Sequence, residues 1–194
     1  MKRIILITGG QRSGKSSYAE KLALSLSPNP IYLATSRIWD EEFALRVSRH
    51  KESRGPCWTN VEEEKELSKH DVSGRVVLID CVTLWGTNIF YDLSKELENS
   101  CLERDGVNNN LNTKVLEKDY LVQESLRRLK AEFDLFTSQD ATFIFVSNEI
   151  GMCGVDVNKF QRQFTDMQGW ANQYIASNAD EVILMVSGIS MKIK

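Results

Sequence analysis

With 194 residues, 42% of them hydrophobic, the chain can bury one substantial core and is short for two full domains, so one domain over 1–194 is expected. Its formal net charge is only -3, with Lys and Arg scattered along the sequence, which gives no basic stripe for nucleic acid and leaves a small anionic substrate open. Four cysteines without a Cys-x-x-Cys pair, two histidines, no apolar run near the roughly 18 residues of a membrane span, and an apolar start too short for a secretory leader predict a cytoplasmic protein with reduced thiols and neither zinc nor disulfides.

Residues 4–7 form a continuous apolar, β-branched run ended by Gly9-Gly10, which suits a strand buried on both faces. Lys15–Leu26 then carries Ala19, Leu22, Ala23 and Leu26 at helical spacing before Pro28 and Pro30 stop it. A second strand is read at Ile31–Ala34. Residues 40–51 read as a helix capped by Asp40 and stopped by Gly55-Pro56. A short strand at 58–61 and a short helix at 62–69 lead to Val76–Asp80, a buried strand with a carboxylate at its carboxyl end.

Residues 83–91 return as helix. The stretch 96–113, with Asp105-Gly106, Asn108-Asn109-Asn110 and little apolar periodicity, predicts a mobile insertion within the domain. A long helix over 115–136, a strand at Thr142–Val146, a helix at Lys159–Asn178 and strands at 182–186 and 191–193 around Ser187-Gly188 complete the chain. This alternation specifies an α/β fold: a mostly parallel sheet with helices on both faces and an antiparallel pair at the C-terminal edge. Thr8, Ala34, Asp80 and Ser147 then fall at the strand ends where such sheets bind ligands.

The run Gly9-Gly10-Gln11-Arg12-Ser13-Gly14-Lys15-Ser16, between a strand and a helix, is a P-loop. Its glycines let successive backbone N–H groups turn toward phosphate oxygens at a helix N-terminus. Lys15 is expected to reach the β and γ phosphates, and the Ser16 hydroxyl to bind Mg²⁺. Asp80 suits the second metal-holding position, although capping of the next helix remains an alternative. A switch GTPase is disfavoured, because Asp80 is followed by Cys81-Val82-Thr83 and the chain has no Asn-Lys-x-Asp guanine reader.

Several further segments accompany the P-loop: Tyr32-Leu33-Ala34-Thr35-Ser36, Arg46-Val47-Ser48-Arg49-His50-Lys51 with Arg54, and Asp80-Cys81-Val82-Thr83 with Asn88. Ser147-Asn148-Glu149-Ile150-Gly151-Met152 and the final Ala179-Asp180-Glu181-Val182 through Ile189 complete the set. Together they resemble, nearly end to end, the bifunctional adenosylcobinamide kinase and adenosylcobinamide-phosphate guanylyltransferase family of cobalamin biosynthesis. The resemblance implies phosphorylation of the aminopropanol hydroxyl of adenosylcobinamide, followed by GMP transfer from GTP to give adenosylcobinamide-GDP. It implies a GMP-histidine intermediate on His50 and nucleotide contacts from Ala34, Thr35, Ser36, Lys51, Glu52, Ser53, Arg54, Glu62 and Asp80. ATP and GTP are the expected nucleotides, a corrinoid the partner, and a homo-oligomer, a trimer, the expected assembly.

Taken alone, a histidine on so polar a helix is ordinarily solvated, although Arg46 one turn earlier and Arg54 beyond give His50 a cationic rim suited to a triphosphate. His70 is read as a surface residue, and the four tryptophans as core or interface. Asn148 and Glu149 either shape a substrate or guanine pocket or serve only the loop. A kinase for another small hydroxyl substrate and a nucleotide-dependent binding protein without catalysis stay open beside the bifunctional enzyme.

Overall fold

The computed structural model describes residues 1–38, 55–102 and 111–194, with side chains omitted for 101–102 and 111–119. The helix expected over 40–51, with Arg46, His50, Lys51, Glu52, Ser53 and Arg54, lies outside the described residues, as does Trp39.

The elements run β1 (Arg3–Gly9), α1 (Lys15–Leu26), β2 (Ile31–Ala34), β3 (Thr59–Glu62), β4 (Val76–Asp80), α2 (Val82–Leu102), α3 (Leu111–Phe136), β5 (Thr142–Val146), α4 (Lys159–Asn178), β6 (Glu181–Val186) and β7 (Ile189–Lys192). Short 3-10 turns stand at Leu67–Lys69 and Ile150–Cys153. The strands form one sheet of order β3-β2-β4-β5-β1-β6-β7. Every pairing is parallel except β6 with β7, as the alternation of elements predicted.

Strand residues alternate between two cores because side chains along a strand point to opposite faces. Ile4, Leu6, Leu33, Val77, Ile79, Phe143 and Phe145 pack with α2, α3 and α4 on one face. Ile5, Ile7, Tyr32, Leu78, Ile144 and Val146 pack on the other face with Ala19 and Ala23 of α1. Burial on both faces accounts for the unbroken apolar runs of β1, β4 and β5. Aromatic pairs lock α3 to β5: the ring centroids of Phe136 and Phe143 stand 5.1 Å apart, those of Phe133 and Phe145 5.2 Å.

Three expectations change. The helix read over 62–69 is a continuation of β3 to Glu62, followed by an irregular stretch and the single turn Leu67–Lys69. The Glu63 carboxylate accepts from the Lys65 and Glu66 backbone N–H groups, and this local side-chain bonding replaces the first helical turn.

Of the insertion expected over 96–113, residues 96–102 instead continue α2 and residues 111–113 already belong to α3, while 103–110 lie outside the described residues. Polar pairs support this end of α2 where apolar periodicity is thin: Lys95 with Glu98, and Glu96 with Arg128 of α3 at 3.1 Å. His70 is half-buried rather than a plain surface group, 3.5 Å from the Glu63 carboxylate. Of the described tryptophans, Trp85 and Trp58 are buried and Trp170 is exposed.

Candidate active site

β1 hands directly into the phosphate loop, and the loop geometry follows from close approach to its neighbours. A Cβ at Gly9, where φ is +150°, would stand 2.4 Å from the Met185 carbonyl oxygen of β6. Gly14 occupies the N-cap of α1 in the left-handed conformation, with φ +94°, and a Cβ there would meet the Gly188 Cα at 3.3 Å. The Gly188 N–H donates to the Ser13 carbonyl at 2.9 Å, so the turn between β6 and β7 braces the phosphate loop from behind. That support was not evident from the sequence, where Ser187-Gly188 reads only as a hairpin turn.

A cavity of about 540 Å³ opens at the carboxyl ends of β1, β2, β4 and β5. Gln11, Arg12, Ser13, Gly14, Lys15, Ser16, Ala34, Ser36 and Asp80 line it, which brings together most of the described residues expected at a nucleotide site. Gly9 and Gly10 shape the loop from outside the lining. The Thr35 side chain is fully buried and turned away from the cavity: its hydroxyl donates to the Cys81 carbonyl and accepts from the Cys81 N–H. It ties β2 to the end of β4 instead of presenting a side chain to ligand. Glu62 ends β3 in register with Ala34, at the same end of the sheet but beyond the lining.

Lys15 folds back on its own loop, donating to the Gly10 carbonyl at 2.6 Å. Burial lowers its pKa from the ordinary lysine range, opposed by the charges of Cys81, Asp80 and Glu149. Burial, with Asp80 nearby, pushes the Cys81 thiol up to about 12. The thiol is therefore neutral near pH 7, which leaves Asp80 and Glu149, among the described residues, as the carboxylates that face Lys15. Asp80 Oδ2 accepts from the Tyr32 hydroxyl at 2.5 Å, so its described bond is to β2 and not to an N-terminal N–H of α2.

Sequence reasoning gave no site role to Tyr32, Thr83 or Cys153, which also line the cavity, and left Asn148 and Glu149 undecided. Asn148 is fixed by the Thr83 hydroxyl at 3.1 Å, and Glu149 by the Thr8 hydroxyl at 2.5 Å. These pairings depend on strand neighbours far apart in sequence, and only their place at the end of β5 could have pointed to them.

The oxygen donors Ser16 and Asp80 in one lining suit a hard cation such as Mg²⁺, which keeps water and phosphate oxygens as its other ligands. Among the described residues no group of three His, Cys, Asp or Glu side chains forms a protein-only metal cage. No helix among them is long and apolar enough to cross a membrane.

The family model for cobinamide kinase / cobinamide phosphate guanyltransferase, CobU, matches residues 5–193. The chain belongs to this family. Its relatives include the bifunctional adenosylcobalamin biosynthesis protein CobU of Escherichia coli (strain K12), 36% identical and covering 98% of this chain and 99% of that protein. The Salmonella typhimurium CobU is 34% identical over 98% of this chain and 99% of its own length. CobP of Pseudomonas aeruginosa, also named a bifunctional adenosylcobalamin biosynthesis protein, is 32% identical over 97% and 96%. Membership in the CobU family thus extends over both the phosphate loop at the start of the chain and the hairpin that braces it near the end.

Proposed function

We propose that this chain phosphorylates the aminopropanol hydroxyl of adenosylcobinamide and then transfers GMP from GTP to the new phosphate, releasing pyrophosphate and forming adenosylcobinamide-GDP. The observation that carries the proposal is a P-loop cavity, with Lys15, Ser16 and Asp80 in one lining, in a chain of the CobU family. ATP or GTP serves the first step and GTP the second, in the cytoplasm, and the expected assembly is a homo-oligomer, a trimer.

The phosphate loop holds the triphosphate through backbone N–H groups and Lys15 in both reactions. Ser16 and Asp80 would hold Mg²⁺, which when bound offsets phosphate charge. In the first step the substrate hydroxyl oxygen attacks the γ phosphorus. In the second a neutral imidazole nitrogen of His50 attacks the α phosphorus, pyrophosphate leaves, and a phosphate oxygen of the corrinoid displaces the imidazole. Lys51, Glu52, Ser53, Arg54 and Glu62 are assigned to the nucleotide on the family resemblance.

Adenosylcobinamide incubated with GTP and Mg²⁺ should acquire first phosphate and then GDP, read by mass. GTP labelled in the α phosphate should label the protein through an acid-labile, alkali-stable bond, and His50→Ala should lose the label and GMP transfer while keeping kinase activity. Persistent α label on the alanine variant would remove His50 from the reaction. Phosphorylation of some other alcohol alone would reduce the protein to a kinase.

A further inference from the structure

Among the described residues two carboxylates, Asp80 and Glu149, line the cavity, and the proposed phosphate and metal contacts use only Asp80. Glu149 follows β5, the strand between β1 and β4, and so stands between the phosphate loop and Asp80. Its N–H donates to the Gly9 carbonyl at 3.1 Å, which ties its backbone to the start of the phosphate loop. One carboxylate oxygen, Oε1, accepts from the Thr8 hydroxyl at 2.5 Å and from the Asn172 amide at 3.3 Å.

Asn172 is itself held by buried partners, its Oδ1 accepting from the Ser147 hydroxyl at 2.6 Å and the Gln168 amide at 2.9 Å. Polar groups from β1, the end of β5 and α4 thus fix the carboxylate. Among the described residues the other oxygen, Oε2, accepts no hydrogen bond, and Glu149 lines the cavity. A carboxylate held at one oxygen with the other left to the cavity's contents is preorganised to accept a proton.

We propose that Glu149 is the proton acceptor of the kinase step. The inference rests on the kinase assignment above. As the substrate hydroxyl oxygen bonds to the γ phosphorus, its O–H bond breaks and the proton passes to Glu149 Oε2. The bond from the γ phosphorus to the β–γ bridging oxygen breaks, the nucleoside diphosphate leaves with that electron pair, and Glu149 later returns the proton to water. The second reaction makes no such demand, because the attacking phosphate monoester has already lost its protons near neutral pH, its second pKa being about 6. Glu149 therefore separates the two chemistries of one cavity.

Glu149→Gln keeps an oxygen for Thr8 and Asn172 while removing the proton acceptor. Kinase and GMP transfer are measured separately, the latter from adenosylcobinamide phosphate supplied directly. The kinase kcat should fall by about 100-fold or more, with both KM values within about threefold, and the ratio of kinase to transfer rates should fall on the order of 100-fold. Should the glutamine variant fold poorly, Glu149→Asp, which withdraws the carboxylate by one methylene, should lower that ratio in the same direction. Equal losses in both reactions, an unchanged kinase kcat, or recovery at raised Mg²⁺ would overturn the inference. A wild-type protein that phosphorylates no cobinamide would instead overturn the functional assignment beneath it.

Discussion

Asp80 ends β4 with its Oδ2 held by the Tyr32 hydroxyl, and Tyr32 is itself fixed by an edge-to-face contact with Trp58 at 5.6 Å. The carboxylate is therefore positioned from the neighbouring strand, with its charge facing Lys15 across the cavity. Asp80→Asn keeps an oxygen for Tyr32 and loses the charge that attracts a cation, so the Mg²⁺ needed for half-maximal rate should rise roughly tenfold or more. A Mg²⁺ titration of either reaction reads this directly, and a curve superimposable on wild type would return Asp80 to a structural role. The phosphate loop around it was legible in the sequence because its chemistry is local: eight consecutive residues set the turn, the lysine and the hydroxyl. The Tyr32 to Asp80 and Thr8 to Glu149 bonds were not, because they join residues 48 and 141 positions apart through strand order.

At the scale of elements, the loop leaving β2 is held by a cluster of ions. Arg37 forms a two-pronged bond to Asp92 of α2, at 2.7 and 2.9 Å, and a third bond to Glu64, while Lys65 reaches the same Asp92. Nearby, the Asn88 amide donates to the Thr35 and Glu64 carbonyls, so α2 pins the segments after β2 and β3 together. Arg37 and Lys65 hold the Asp92 carboxyl at about 2, below its ordinary 3.8.

A depressed carboxyl pKa stabilises the folded state above the ordinary value, and that contribution disappears as pH falls from about 4 toward 2. Asp92→Asn should accordingly cost about 1–2 kcal/mol at pH 6, with the gap from wild type closing over that acid range. Urea unfolding of both proteins across pH 2 to 6 measures it; a gap independent of pH would show that charge is not what Asp92 contributes. The buried strands, α1 and α4 were readable from apolar runs and helical spacing. The stretch after β3 and the far end of α2 were not, because Glu63 capping and the Glu96 to Arg128 pair leave no periodic signature.

Across the whole molecule, the first and last parts of the chain build one site. β1 lies between β5 and β6, the β6–β7 turn supports the phosphate loop, and the end of β5 contributes Glu149 to the cavity. The fold class and the α/β order were legible from alternation alone, whereas the strand neighbours that complete the cavity emerge only from the assembled sheet. On the proposed function, one phosphate cradle serves both phosphoryl and guanylyl transfer. The direct measurement is steady-state assay of both reactions on purified Lys15→Ala, each from its own supplied substrate. Loss of the buried ammonium should lower both rates together by about 100-fold or more, since the same triphosphate is held whether its γ or its α phosphorus is attacked. Wild-type rate in either reaction would contradict the claim, because that reaction would then be using another site.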